Sequence, residues 1–275
     1  LSKSLPGGTG SDTNVEMMLT VYPGSFSAYA LQGDINTGQN SFALYPTVRG
    51  QLELLAADSV LVGDNQTSRI NLSDADPNAL PSALQPAASL EDAALRLNSS
   101  GSSDFIHAAV PVHAGDTKPV LIAARDGSIG AVQGTSGQLE LYLAKPVWLL
   151  AGQDIRNTSV VAQNLTGDDV SRIEAGRDVV FDTGRLDDGR FSSSEQLQVR
   201  MAGPGSLEIS GGRNVDLGTS AGVSAVGNLQ NPALSDSGAN VLVLAGVGAT
   251  PDFQAFMNRY LIDSDQYQAQ LAELL

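Results

Sequence analysis

Apolar residues in this chain fall at every second position over short stretches, and the stretches recur. Gln51-Leu52-Glu53-Leu54, Gln138-Leu139-Glu140-Leu141 and Ser206-Leu207-Glu208-Ile209 each alternate polar with aliphatic, and each follows a glycine, Gly50, Gly137 or Gly205. Six residues beyond the last aliphatic position stands Val60, Val147 or Val215, with Val62, Leu149 or Leu217 two further on. A period of two sends successive side chains to opposite faces of a strand. Strand–turn–strand units that recur, and that cannot bury both faces alone, predict a stack of coils.

A second phrase is Gly-x-Asp/Asn-Ile/Val: Gly152-Gln153-Asp154-Ile155, Gly176-Arg177-Asp178-Val179 and Gly212-Arg213-Asn214-Val215. Gly33-Asp34-Ile35 is a shorter form, and Ala124-Arg125-Asp126-Gly127-Ser128-Ile129 a loosened one. The spacings are 24 and 36 residues, and the difference of 12 matches the polar stretch Arg185–Gln196, read as a loop inserted in one coil. The Gly-x-Leu-Glu copies lie 87 and 68 residues apart, which fits four and three coils of roughly 22 residues. Glycine, Asn and Asp permit the left-handed backbone of a sharp corner. The flanking Leu, Ile and Val are expected to point inward and stack on their equivalents. Arg49, Arg125, Arg177 and Arg213 are expected to form part of an outer ladder with neighbouring acids.

The pattern divides the chain into a flexible lead-in over 1–20, a parallel β-helix over 21–249 and a C-terminal helical segment over 250–275. A Pro- and Ala-rich excursion at 64–118 interrupts the coils. It holds a short helix candidate, Leu90–Leu97 with Ser89 as cap, expected to lie against the outside of the stack. After Thr250-Pro251-Asp252, a helix start, Phe253, Phe256, Met257, Tyr260 and Leu261 follow at helical spacing. Such an amphipathic helix would cover the open end of the stack, or dock a partner through Phe253, Phe256 and Tyr260.

Composition narrows the interior and the partners. Aromatics are only 5% against 29 glycines, so small and β-branched side chains must fill a thin core. Fifteen basic and 30 acidic residues give a net charge of −15, the wrong sign for nucleic acid or anionic lipid. With no cysteine, disulfides, Cys-based zinc sites and thiol catalysis are excluded. No run of about 18 apolar residues exists to span a membrane as a helix. The chain reads as a piece of a longer protein.

The phrases in order resemble the filamentous haemagglutinin-like exoproteins of bacterial two-partner secretion systems, and most closely the C-terminal region of the very long members. The residues carrying the likeness are Tyr22-Pro23-Gly24, Ala30-Leu31-Gln32-Gly33-Asp34-Ile35 and Leu44-Tyr45-Pro46 leading to Arg49–Ala56. Ser73-Asp74-Ala75-Asp76-Pro77, Pro111–Asp116, Gly203–Glu208 and Pro251-Asp252-Phe253 complete the set. The resemblance implies an all-β, right-handed parallel β-helix, secreted or on the cell surface of a Gram-negative bacterium. It implies passage of the parent through an outer-membrane two-partner secretion transporter, and a role as adhesin or display stalk with a host glycan or protein as receptor. It carries over no ligand-binding residues.

Candidate chemistry is sparse. Gly7-Gly8-Thr9-Gly10-Ser11-Asp12 opens like a calcium-binding nonapeptide, but one copy supplies only part of an ion's oxygen cage. Asp74 and Asp76 offer two oxygens for a hard cation, though Asp before proline is the ordinary composition of a turn. His107 and His113 lie about 20 Å apart on a straight strand, too far to share a metal unless Pro111 turns the chain. Gly167-Asp168-Asp169 with Arg172-Ile173-Glu174 is similar to the paired aspartates of polygalacturonases, which are β-helical glycosidases. Their Gly-His-Gly phrase is absent, and Glu174 stands where a basic residue would meet a uronate. The expectation is therefore a non-catalytic chain without metal or cofactor, the carbohydrate-active enzyme using Asp168 and Asp169 being the alternative. Recognition is expected on the loops: the 64–118 excursion, including Asp74 and Asp76, and the 185–196 loop, including Asp187, Asp188 and Arg190.

Overall fold

In a computed structural model of the chain, the described residues are 20–80, 84, 107–182 and 197–248. The lead-in, the helix capped by Ser89, the loop with Asp187, Asp188 and Arg190, and the C-terminal segment with Phe253, Phe256 and Tyr260 lie outside them. The alternating stretches form three sheets. Sheet A contains β1 (Thr20–Tyr22), β4 (Ser41–Leu44), β7 (Thr67–Leu72), β10 (Gln138–Leu143), β13 (Thr158–Gln163), β16 (Val199–Ala202) and β19 (Val223–Gly227). Sheet B contains β2 (Ser25–Ala30), β5 (Gln51–Ala56), β8 (Val120–Ala124), β11 (Val147–Ala151), β14 (Val170–Ala175), β17 (Ser206–Gly211) and β20 (Asn240–Ala245). Sheet C contains β3 (Ile35–Asn36), β6 (Val60–Val62), β9 (Ile129–Ala131), β12 (Ile155–Arg156), β15 (Asp178–Val180) and β18 (Asn214–Asp216).

The chain visits A, B and C in unbroken rotation, and the paired strands are parallel throughout. Parallel neighbours need a crossover, and here each crossover runs through the other two sheets. This all-β, three-sheet parallel architecture is consistent with the expected β-helix.

Register explains the core. Ala28, Leu54, Ile122, Leu149, Ile173, Ile209 and Val243 align in one column of sheet B. Phe42, Ile70, Leu141, Val160, Val199 and Val223 do so in sheet A, and Ile35, Val60, Ile129, Ile155, Val179 and Val215 in sheet C. Away from the ends these side chains are fully buried in one cluster, each contributing about 1.5–3 kcal/mol. The ends are less covered. Tyr22, Phe26 and Phe42 meet at 5.1–5.4 Å between ring centroids around a cavity of about 320 Å³ at the first coil.

Three expectations change. The Gly-x-Leu-Glu copies do not mark equivalent coil positions: Gln51–Ala56 and Ser206–Gly211 are in sheet B, but Gln138–Leu143 is in sheet A. The phrase marks entry into a strand after a corner, which every face requires, so four coils rather than seven separate the first copy from the third. The excursion also starts later than residue 64. Thr67–Leu72 is a strand of sheet A with Ile70 and Leu72 in the core, and the small Ser68 fits inward beside them. The interruption therefore spans 73–119. By contrast, the spacings of 24 and 36 residues are single coil steps, from Ile155 to Val179 and from Val179 to Val215.

The third change concerns the glycines. Gly33 has the left-handed φ of +80°, whereas Gly152, Gly176 and Gly212 do not. At Gly176 and Gly212 a Cβ would collide with the carbonyl oxygen of Gly152 and Gly176 respectively, one coil away. Close stacking, not backbone handedness, excludes a side chain there. Beside this glycine column runs a ladder in which each side chain accepts the next coil's backbone N–H. Asp34 accepts from Ser59, Ser59 from Ser128, Ser128 from Asp154, Asp154 from Asp178 and Asp178 from Asn214, at 2.8–3.2 Å. The expected arginine ladder joins it in part: Arg177 binds Asp154 at 2.7 Å and Arg213 binds Asp178 at 2.5 Å, while Arg125 pairs with its neighbour Asp126.

Candidate functional site

Sheet A has an outer face unlike the others. Ala43, Asn71, Val161, Gln163 and Ala202 point away from the core yet are buried. The two limbs of the excursion, 73–80 and 107–119, and the loop between β19 and β20 come together around buried polar groups of this flank. Ala43 packs with Ala75 and Leu80 in a second small core. The limbs join each other where Ala75 pairs with His107 in an antiparallel bridge, forming a neck.

Two polar clusters fasten this neck. In the first, Asp74 Oδ2 lies 3.1 Å from His107 Nδ1 and accepts from Asn231 Nδ2 at 3.2 Å. Asn231 also reaches Gln163 Oε1 at 3.4 Å, and Gln163 Nε2 donates to the Ala144 carbonyl at 2.9 Å. In the second, the Lys145 ammonium donates to Asp116 Oδ2 at 2.6 Å, Gln51 Oε1 at 3.0 Å and the Gly50 carbonyl at 3.2 Å. Three donors meet three acceptors, so a lysine with 0% of its side chain exposed is fully satisfied. Burial pulls the Lys145 pKa down, and the Asp116 carboxylate works against that pull. Burial would raise the Asp116 pKa, but its hydrogen bond from Lys145 and the Lys118 N–H hold it below the usual carboxylate value.

His113 sits against the second cluster. Pro111 does turn the chain: Ala114 N–H donates to the Pro111 carbonyl and Asp116 N–H to the His113 carbonyl, both at 2.9 Å. The turn drives the ring against Gly50, where a Cβ would stand 3.0 Å from His113 Cε1. His113 is fully buried and neither ring nitrogen makes a well-formed hydrogen bond. Burial first, and the Lys145 charge second, lower its pKa from 6.5 to about 4.

The sequence candidates fall as follows. Asp74 is buried in the neck, whereas Asp76 caps the 3-10 turn Pro77–Ala79 by accepting from Asn78 N–H at 2.9 Å. Their carboxylates serve different partners. Asp168 is exposed, and Asp169 Oδ2 accepts from both Leu165 and Thr166 N–H at 2.7 Å, closing its own loop. Among the described residues no group of three or more His, Asp or Glu is arranged to hold a metal ion, and no helix is long and apolar enough to cross a membrane. Lys145, Asp116, Gln51, Gln163 and Asn231 were not anticipated. The readable signal was Lys145 itself, a charge set between the core positions Leu143 and Val147.

By class, the residues described form an all-parallel, three-sheet stack carrying one fastened excursion. No family model, curated protein or solved structure matches the chain.

Proposed function

We propose that this chain is a non-catalytic segment of a large exoprotein, secreted or displayed on a Gram-negative surface, serving as an adhesive element or display stalk. In this reading the stack is a right-handed parallel β-helix, and the parent leaves the cell through a two-partner secretion transporter. The observation that carries the reading is the contrast between a long, regular stack and one excursion fastened to its flank. A rigid solenoid holds an inserted loop at a fixed place away from its ends, where recognition is commonly grafted. The absence of cysteine fits threading through a pore. The receptor is taken to be a host-surface glycan or protein.

A glycan and host-surface array tests this. The intact chain is expected to bind, and replacing residues 81–106 with a short Gly/Ser linker is expected to abolish binding while the stack stays folded by circular dichroism. Unchanged binding by the linker variant overturns the assignment to the excursion. Hydrolysis of an acidic polysaccharide by the intact chain overturns the non-catalytic reading.

A further inference from the structure

Both histidines of the chain are in the neck, and their surroundings differ. His107 faces a carboxylate, Asp74, at 3.1 Å. His113 is enclosed by the Gly50 backbone and feels the Lys145 ammonium, with Asp116, Asp74 and the Val48 backbone acting the other way. Lys118 adds a second positive charge near Lys145. A proton on His107 finds a partner, whereas a proton on His113 enters a dry pocket beside an ammonium that already has its acceptors.

We propose that the neck is an acid-released clasp: protonation of His113 frees the stretch 111–119 from the stack while the three sheets, and the Ala75–His107 bridge, remain intact. This rests on reading the excursion as the working element, and adds its regulation.

The direction follows from linkage. In the closed neck His113 titrates near 4, and in an opened neck it returns to its ordinary 6.5. The open form therefore binds the proton between these values and the closed form does not. Closure is fully favoured above pH 6.5 and weakens by up to tenfold per pH unit below it, reaching roughly 30-fold by pH 5. Asp116, held below the usual carboxylate value, and Lys145, with its three acceptors, keep their charges across this range. His107 stands at the start of the same limb, 3.1 Å from Asp74, so the part released is the stretch 111–119 that carries His113.

Amide hydrogen exchange on the full chain tests the clasp without any ligand, so its failure is separable from a failure of receptor binding. The Ala114 and Asp116 amides, both bonded within the turn, are expected to lose about 20-fold in protection from pH 7 to pH 5 after correction for intrinsic exchange. The amides of Leu149 and Ile173 in sheet B are expected to hold. In His113→Phe the drop disappears, and His113→Gln gives the same result should the phenyl ring pack poorly. A flat wild-type profile, or an equal drop in both variants, overturns the proposal.

Discussion

The corner between sheets B and C and the neck on sheet A both rely on aspartates that meet basic residues, yet they hold the molecule in different ways. At the corner, Asp154 and Asp178 meet Arg177 and Arg213, whose side chains are 42% and 57% exposed. Pairs so open to water are worth little individually, but the side-chain-to-backbone ladder beside them is made coil after coil. At the neck, Lys145 and Asp116 are 0% and 9% exposed, and among the described residues no other coil repeats them. Repetition spreads stability over many weak bonds; a single buried pair concentrates it. The corner should yield gradually and the neck all at once.

The sharpest way to break the contrast is Lys145→Met. It leaves Asp116 without its charge partner and the Gly50 carbonyl without its donor. Breaking one side of a buried pair costs about 3–5 kcal/mol. Amide exchange should place the loss in the limb 107–119, with sheets B and C little changed. The double variant Lys145→Met/Asp116→Leu should recover most of the loss, because removing both charges also removes their desolvation cost. Equal loss in single and double variants would show that packing, not charge, holds the limb.

Gly212→Ala attacks the corner where it is least forgiving. The new Cβ would meet the Gly176 carbonyl, a backbone atom that cannot turn aside, so the coils must part locally at a cost of about 1–3 kcal/mol. Asp178→Ala is gentler, removing bonds to Asn214 N–H and Arg213 at the surface for about 1 kcal/mol. Urea unfolding midpoints should rank the two in that order. A reversed order would make the hydrogen-bond ladder, rather than the glycine column, the main support of the corner.

The same contrast explains what could be read from the sequence. The corner was legible because it repeats: Gly-x-Asp/Asn at Gly152, Gly176 and Gly212 marks single coil steps. Its chemistry was misjudged at the glycines, since a left-handed turn and a close backbone approach both demand glycine. Ser59 and Ser128 also replace Asp in the ladder without a visible signal, because a hydroxyl accepts the same N–H. Thr67–Leu72 was overlooked for a related reason: Ser, Arg and Asn sit beside only two large aliphatics, and burial of Asn71 depends on residues far along the chain. Single residues of the neck stood out in the sequence, Asp74 and the two histidines among them, but their pairing did not. Asp74 meets Asn231 across 157 positions and Lys145 meets Gly50 across 95, and neither local period nor spacing carries such a pairing.

Asp168 and Asp169 give the smallest expected effects and separate a loop from a catalytic pair. Asp168 is exposed, so Asp168→Ala should change stability by less than about 0.5 kcal/mol. Asp169 ties two backbone N–H groups of its own loop, so Asp169→Ala should cost about 1 kcal/mol. A glycosidase needs both carboxyl groups, one as acid and one as base or nucleophile, and either substitution would then remove nearly all turnover while stability stayed close to the parent. An asymmetric outcome, with stability lost only at Asp169 and no polysaccharide cleavage to lose at either position, places this turn with the repeated corner supports rather than with a reactive centre.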